Sequence, residues 1–263
     1  MPFGRRFYYI LLNLWRNLTC QGVRPKVEGF FVAMPSGTPG LASPSRILTE
    51  AFIKSRLPQL ITPKRIRVLE IGCGSGRLCS VLAELGYSGE YVGLDIDDRF
   101  THTQVSGFQS NFIFGDAHAF DPGNEKFDLI ISVSALEHIP QDALLIDKLP
   151  SWLASGGMEL HFLPSSTSLL LYLWHGWRQY PLPQVGNLFG SHAVATSLGG
   201  VSSSIVHFIF ITVGEILVPI RARQRLRWLY QPLLGWALML DRLLPFFPSM
   251  HVVRRAKNFT NSI

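Results

Sequence analysis

The sequence is poor in charged residues and in cysteine. Only 16% of its 263 residues are Asp, Glu, Lys or Arg, while 47% are hydrophobic, and this balance excludes intrinsic disorder. Its three cysteines, Cys20, Cys73 and Cys79, are an odd number without the paired spacing of metal ligands. We therefore expect no disulfide framework, no metal centre and a reducing, cytoplasmic location.

No hydrophobic run reaches the roughly 20 residues that a helix needs to cross a bilayer. Residues 7–15 follow Arg5 and Arg6, yet the run is short and lacks the small-residue cleavage site of a signal peptide. Residues 1–20 are instead predicted to form an amphipathic helix, packed either on protein or on lipid.

Acidic residues are scarce outside the middle of the chain. Residues 1–67 carry 11 basic and 2 acidic groups, residues 68–160 carry 4 and 14, and residues 221–263 carry 8 and 1. A uniformly basic nucleic-acid binder would not show this pattern. Basic, apolar flanks around an acidic core suit contact with an anionic surface instead.

Short hydrophobic runs alternate with helical segments from residue 66 onward. This alternation predicts a parallel, doubly wound α/β sheet with helices on both faces. The strands are expected at residues 67–71, 91–96, 111–114, 127–133 and 158–163, with helices at 76–85 and 141–154. Before them, a Pro/Gly/Ser loop at 33–45 is followed by a helix that Ser45 caps and Pro58 ends.

The remaining segments are assigned by their composition. Residues 1–65 are expected to form a helical and loop extension, 66–164 the core, and 165–248 an apolar, largely helical cap or membrane-contact region. Within that region, residues 165–176 are predicted to be helical, and residues 205–220 and 228–240 are apolar segments separated by arginines. Residues 249–263 should hold a last strand, at the edge of the sheet, and a tail.

A glycine-rich turn follows the first core strand. Gly72, Gly74 and Gly76 let the backbone approach a ligand, and the next helix presents free N–H groups. A dinucleotide fingerprint would place a third glycine at position 77, which is Arg77, and Glu70 would repel phosphates but could hold an ammonium. The alternative is a tight turn without a ligand.

Four motifs in order resemble those of the class I S-adenosylmethionine-dependent methyltransferases. They are Glu-Ile-Gly-Cys-Gly-Ser-Gly at 70–76, Tyr-Val-Gly-Leu-Asp-Ile-Asp at 91–97, Gly-Asp-Ala at 115–117, and the segment 127–140. The last is similar to the fourth motif of the subgroup that methylates small molecules and lipids, including quinone-type methyltransferases. The resemblance covers residues 66–164.

The resemblance implies S-adenosylmethionine as the cofactor. It implies that Asp95 takes the two ribose hydroxyls and that Asp116 accepts from the adenine amino group. The other cofactor-contacting positions that it implies are Glu70, Gly72, Cys73, Gly74, Gly76, Ile96, Ala117 and Ser134. Within this set, Cys73 is interpreted as a small packing residue rather than a nucleophile, and Asp116 has the alternative role of a helix cap.

His138 is the candidate general base, because imidazole titrates near neutral pH and the fourth motif faces the cofactor cleft. Glu137 and His138 have a simpler alternative as a solvated helix start. His118, His161 and His175 are interpreted as structural or surface histidines.

The expected function is methyl transfer from S-adenosylmethionine to a small, apolar or lipid-linked acceptor. A nicotinamide oxidoreductase is disfavoured by the glycine spacing. A nucleic-acid methyltransferase is disfavoured because no Asn-Pro-Pro-aromatic signature follows the fourth strand, so nucleic acid is not an expected partner. A non-catalytic, membrane-associated scaffold is the remaining alternative. The expected partners are the acceptor and an anionic membrane on its inner face, with a homodimer as another use of the apolar segments.

Overall fold

A computed structural model describes residues 3–31, 40–101 and 104–257, which form one mixed sheet covered by helices. The order of the strands across the sheet is β1-β7-β8-β6-β5-β2-β3-β4. The strands are β1 (Lys26–Phe30), β2 (Arg65–Ile71), β3 (Ser88–Asp95), β4 (Phe108–Phe114), β5 (Phe127–Val133), β6 (Leu153–Pro164), β7 (Val194–Leu198) and β8 (Met250–Ala256).

Helices cover both faces of this sheet. They are α1 (Phe3–Thr19), α2 (Pro44–Leu60), α3 (Arg77–Glu84), α4 (Asp142–Trp152), α5 (Ser168–Tyr172), α6 (Leu182–Phe189), α7 (Val201–His207), α8 (Ala222–Arg225) and α9 (Arg227–Leu240). A 3-10 turn spans Leu136–His138, and a π-helix spans Phe208–Leu217. None of the described helices is both long enough and apolar enough to cross a membrane.

Alternating side chains of β2 separate two hydrophobic cores. Val68 packs into the core formed with α2, α3, α7 and α9, whereas Leu69 and Ile71 pack into the core formed with α4 and α6. Because a strand directs successive side chains to opposite faces, β2 presents buried apolar side chains on both sides of the sheet and requires helices on both. The predicted fold class is confirmed.

The strand order reverses between β2 and β5. The chain moves outward from β2 through β3 to β4, then returns to β5 on the other side of β2 and continues to β6, all in parallel. Open α/β sheets bind ligands at this point, beyond the carboxyl ends of the strands. The glycine-rich turn leaves β2 at this position.

The expectation that the last strand lies at the edge of the sheet is wrong. β8 lies between β6 and β7 and is antiparallel to both, so that Val253 is opposite His161 on one side and Ala195 on the other. The sequence did not predict β1 and β7, which are only five residues long and extend the sheet beyond β8. Both flanks of the chain therefore contribute to the same sheet as the core.

Three local boundaries also differ from expectation. Ser43, not Ser45, caps α2, and its hydroxyl accepts the N–H of Arg46. Pro58 does not end this helix, because it lies in the last turn and costs only one backbone hydrogen bond there. The predicted helix at 165–176 is limited to α5, since Leu173 adopts a φ of 56°. Most of the predicted loop, residues 33–39, lies outside the described residues.

Candidate active site

A cavity of about 560 Å³ opens at the carboxyl ends of β2, β3, β4 and β5. This volume is within the range of sites for small ligands and cofactors. Eight of the residues singled out from the sequence line it, namely Gly72, Gly74, Asp95, Ile96, Asp116, Ala117, Ser134 and His138. Glu70, Cys73 and Gly76 are not among the lining residues.

The first glycine of the turn has no space for a side chain. Gly72 has a φ of 74°, and a Cβ there would lie 2.3 Å from the Cβ of Ala135. The N–H groups of Gly72 and Cys73 donate to the carbonyl oxygen of Leu94, at 2.7 and 3.2 Å. The glycine turn is therefore bonded to the end of β3, and at Gly72 its bare backbone forms part of the cavity wall.

Asp95 joins the end of β3 to the glycine turn. One carboxylate oxygen accepts the N–H of Gly74 at 2.6 Å, and the other accepts the N–H of Asp97 at 2.9 Å. These two bonds fix the plane of the carboxylate. Each oxygen keeps a second lone pair, so Asp95 can still accept from two neighbouring hydroxyl groups of a ligand.

Glu70 is buried outside the cavity lining and bonds to Tyr91. Its carboxyl accepts the phenolic hydrogen of Tyr91, and burial raises the pKa of Glu70 to about 8. Burial also raises the pKa of the Cys73 thiol, which makes Cys73 a poor nucleophile.

Asp116 both lines the cavity and stabilises a turn. Its Oδ1 accepts the N–H of His118 at 2.9 Å, and both residues line the cavity. The alternative role as a helix cap is wrong, because residues 117–119 form a turn and no helix lies among the described residues between β4 and β5.

A second cavity of about 280 Å³ adjoins the first. Ser134 and His175 line both cavities. Ser134 directly follows β5 with a φ of 49°, and its N–H donates to the carbonyl of Phe162 at 3.0 Å. A non-glycine residue in this conformation is strained. The strained residue lies where the two cavities meet.

His138 and His175 form a pair at this junction. Their Nε2 atoms are 3.2 Å apart and their rings meet edge to face. Burial lowers the pKa of both imidazoles, and the proximity of His175 lowers that of His138 further. Both rings are therefore neutral at pH 7, with one nitrogen each able to accept a proton.

Glu137 lies beside this pair and is 1% exposed. Burial raises its pKa to about 8, and its Oε2 has no hydrogen-bond partner among the described residues. The ligand atoms of Glu137, His138 and His175 all lie within 4.8 Å of one another. This donor set could also hold a divalent cation, which the sequence did not predict.

A loop after α5 carries His175 to the site. The Tyr9 hydroxyl donates to the carbonyl of His175 at 2.8 Å, and the N–H of Trp177 donates to the carbonyl of Glu137 at 2.7 Å. Asp142 accepts hydrogen bonds from Tyr180, at 2.7 Å, and from Arg178. The sequence interpretation of His175 as a structural or surface residue missed this position, since nothing local marks it.

Residues 46–199, more than half of the chain, match a family described as "Methyltransferase domain". This chain belongs to the class I S-adenosylmethionine-dependent methyltransferases. It is 36% identical over 98 residues to the ubiquinone biosynthesis O-methyltransferase of Chelativorans sp. (strain BNC1), covering 35% of this chain and 38% of that protein. It is 28% identical over 163 residues to the protein of the same name from Mesorhizobium japonicum, covering 57% and 65% of the two chains.

The fold of this methyltransferase is also found in a solved structure. The plantazolicin methyltransferase BpumL, in complex with SAH, superposes with a TM-score of 0.53 at 16% identity, covering 82% of this chain and 85% of that one. In contrast, this chain matches only part of the length of the two ubiquinone biosynthesis relatives, 38% of the first and 65% of the second.

The cofactor of this family is S-adenosylmethionine, and the residues of the first cavity fit it. The absence of a side chain at Gly72 allows a ligand to approach the backbone closely. The two carboxylate oxygens of Asp95 are fixed in position and can each accept a hydrogen bond from one hydroxyl of a diol. Ile96, Ala117 and Ile139 provide apolar wall for an adenine ring.

Proposed function

We propose that this methyltransferase transfers the methyl group of S-adenosylmethionine to a hydroxyl group of a small, lipid-linked acceptor. The observation that carries the proposal is the junction of two cavities at Ser134 and His175, with the His138–His175 pair beside it. The first cavity would hold the nucleoside of the cofactor, and the second would hold the acceptor. The expected cytoplasmic location is part of the same proposal.

When bound, S-adenosylmethionine supplies a methyl group that a positively charged sulfur makes electrophilic. The glycine turn, Asp95 and Asp116 would hold the cofactor in the first cavity. The main contribution of the protein is orientation, because aligning two reactants in one site lowers a barrier by about 7–11 kcal/mol.

The imidazole pair would remove the hydroxyl proton. During methyl transfer, the free nitrogen of His138 would accept the hydroxyl proton of the acceptor. His175, with its Nε2 at 3.2 Å, would stabilise the resulting imidazolium by accepting a hydrogen bond. The lowered pKa of both rings favours the unprotonated state, which a base requires.

The second cavity supports a polar head group attached to an apolar body. Its walls combine the hydroxyls of Ser43, Ser45 and Thr49 and the side chain of Arg46 with apolar Val133, Pro164 and Met250. The named activity of the ubiquinone-pathway relatives, O-methylation, favours oxygen as the acceptor atom.

Calorimetric titration tests the cofactor half of the proposal. Wild-type protein should bind S-adenosylmethionine and S-adenosylhomocysteine but not NADH, and Asp95→Ala should weaken both adenosyl ligands at least tenfold. Asp121→Ala, an exposed acid that only stabilises the turn at Gly123, is the control and should bind normally. If folded protein binds neither adenosyl ligand, the proposed function fails and the non-catalytic scaffold becomes the preferred hypothesis.

Incubation with methyl-labelled cofactor tests the acceptor half. Label should enter the organic phase of a lipid extract and be found as an O-methyl ether. Label that enters only added DNA or RNA, or a methylated amine, would overturn the proposed acceptor while leaving the cofactor assignment intact.

A further inference from the structure

Helix α1 packs on the protein with its polar side and exposes its apolar side. Asn13 is 1% exposed, the Tyr9 hydroxyl bonds to His175, and Asn17 donates to Gln179. The opposite stripe consists of exposed apolar residues spaced along one face, namely Phe7, Tyr8, Leu11, Leu14, Trp15 and Leu18. A surface helix of a soluble domain normally has the reverse arrangement.

A second apolar surface lies on the C-terminal helices. Of the 30 large apolar side chains that are exposed in the described residues, 17 lie between Ile205 and Phe247, and six more form the α1 stripe. On α9, Tyr230, Leu234, Ala237 and Leu238 are buried, whereas Trp228 and Trp236 are 72% and 63% exposed. The outward face of α9 is therefore almost wholly apolar.

The charges around these surfaces have one sign. Arg221, Arg225, Arg227 and Arg242 are exposed, as are Arg5 and Arg16 on α1. The two acidic residues beyond position 160 do not offset them, since Glu215 pairs with Arg223 and Asp241 is buried. Arginines beside exposed tryptophans complement the phosphates and the interfacial zone of an anionic bilayer.

Helix α5 connects the two surfaces. It contacts both α1 and the π-helix, and Thr212 of the π-helix donates its hydroxyl to the carbonyl of Leu171 on α5. Leu170, on the same short helix, is exposed between them.

We propose that α1 and the surface from α7 to α9 together form a docking face for an anionic membrane. A second copy of this chain fits the surface less well, because a two-fold symmetric interface would place the same arginines opposite each other. The docking face does not depend on the proposed reaction, although it would place the loop that carries His175 close to the bilayer, where a lipid-linked acceptor resides.

Vesicle sedimentation tests the docking face. Purified protein is mixed with vesicles of phosphatidylcholine alone or with phosphatidylglycerol added, at low and high salt. We expect at least tenfold tighter binding to the anionic vesicles, weakened by salt. The variants Leu11→Glu/Trp15→Glu and Trp228→Glu/Trp236→Glu should each lose at least tenfold in affinity. The matched control, Val27→Glu/Leu144→Glu, changes exposed apolar residues elsewhere on β1 and α4 and should bind as the wild type does.

Each variant is also titrated with S-adenosylhomocysteine, so that loss of vesicle binding is separated from loss of fold. Wild-type protein that ignores anionic vesicles, or variants that bind as well as the control, would overturn the proposal. A dimer in sedimentation velocity that the same glutamate substitutions dissociate would also overturn it, because the surface would then belong to an interface between copies.

Discussion

The Nε2 atom of His138 lies 3.2 Å from the Nε2 atom of His175, although the two residues are 37 positions apart in the chain. His138 comes from the turn after β5 and His175 from the loop after α5. Two neutral imidazoles in contact can share one proton, because one nitrogen donates while the other accepts. The pair therefore lies where the two cavities meet: both imidazoles line the first cavity, and His175 also lines the second.

Replacing His138 should affect turnover far more than cofactor affinity. His138→Gln removes the proposed base and should lower kcat by about 10²–10⁴-fold, the usual contribution of general base catalysis. The Kd of S-adenosylhomocysteine should change less than threefold. His192→Gln, at an exposed histidine outside the site, serves as the control. Equal losses of turnover and affinity, or no loss of either, would remove His138 from this role.

The loop that carries His175 should depend on Asp142. Asp142→Asn weakens the buried hydrogen bonds to Tyr180 and Arg178, and the free energy of unfolding should fall by about 2–3 kcal/mol. Turnover should fall as well, because His175 is less well positioned. Asp147→Asn changes an exposed acid on the same helix and should be nearly neutral in urea denaturation. Similar stability of the two variants would contradict the anchoring role.

The glycine turn should not tolerate a methyl group at position 72. Gly72→Ala combines a left-handed φ with the 2.3 Å approach to Ala135, and should cost about 2–4 kcal/mol of stability and weaken the cofactor. Gly123→Ala has a similar φ of 61° but open space around it, so its cost should be only about 1 kcal/mol. Adding Ala135→Gly to Gly72→Ala should restore part of the loss. Absence of any rescue would show that the clash is not the cause.

The stability that buried, neutral His251 contributes should be lost as the pH drops below about 6.5. Burial lowers the pKa of His251 to about 4, so between pH 6.5 and 4 the unfolded chain binds a proton that the folded chain does not. The stabilising contribution is complete above pH 6.5 and is lost as the pH falls, with a slope of at most about 1.4 kcal/mol per pH unit. In urea denaturation at pH 5, 6 and 7, His251→Gln should lose less stability relative to the wild type as the pH falls, because it lacks the His251 contribution; an unchanged difference between the two proteins across these pH values would exclude this contribution.

The core of the fold could be predicted because its signals are local. Each of β2, β3 and β5 contains a short hydrophobic stretch and is followed by a polar or glycine-rich turn, and the pairing of consecutive parallel strands follows from their alternation with helices. The motif resemblance, not the strand pattern, singled out Asp95, Ile96, Asp116 and Ala117. All four line the cavity, because they lie at or just after the carboxyl ends of β3 and β4.

The outer half of the sheet could not be predicted in the same way. β1 and β7 have weak patterns over five residues, and each is stabilised by pairing with a strand far away in the sequence. Glu70 was expected near the cofactor from a motif position; its carboxyl is buried, bonded to Tyr91 and outside the cavity lining, an arrangement that depends on a contact across strands. His175 reaches the site through long-range bonds of its loop: the Tyr9 hydroxyl donates to the carbonyl of His175, and the N–H of Trp177 donates to the carbonyl of Glu137.

The position of β8 has a consequence for how the molecule folds. Because β8 connects β6 to the parallel pair β1 and β7, the pair cannot join the sheet until residues 250–256 have left the ribosome. The nascent chain can complete the nucleotide-binding half while its earliest strand still waits for the latest one. Until then the edge of β6 stays unpaired, and an unpaired strand edge is a place where other chains can pair and aggregate.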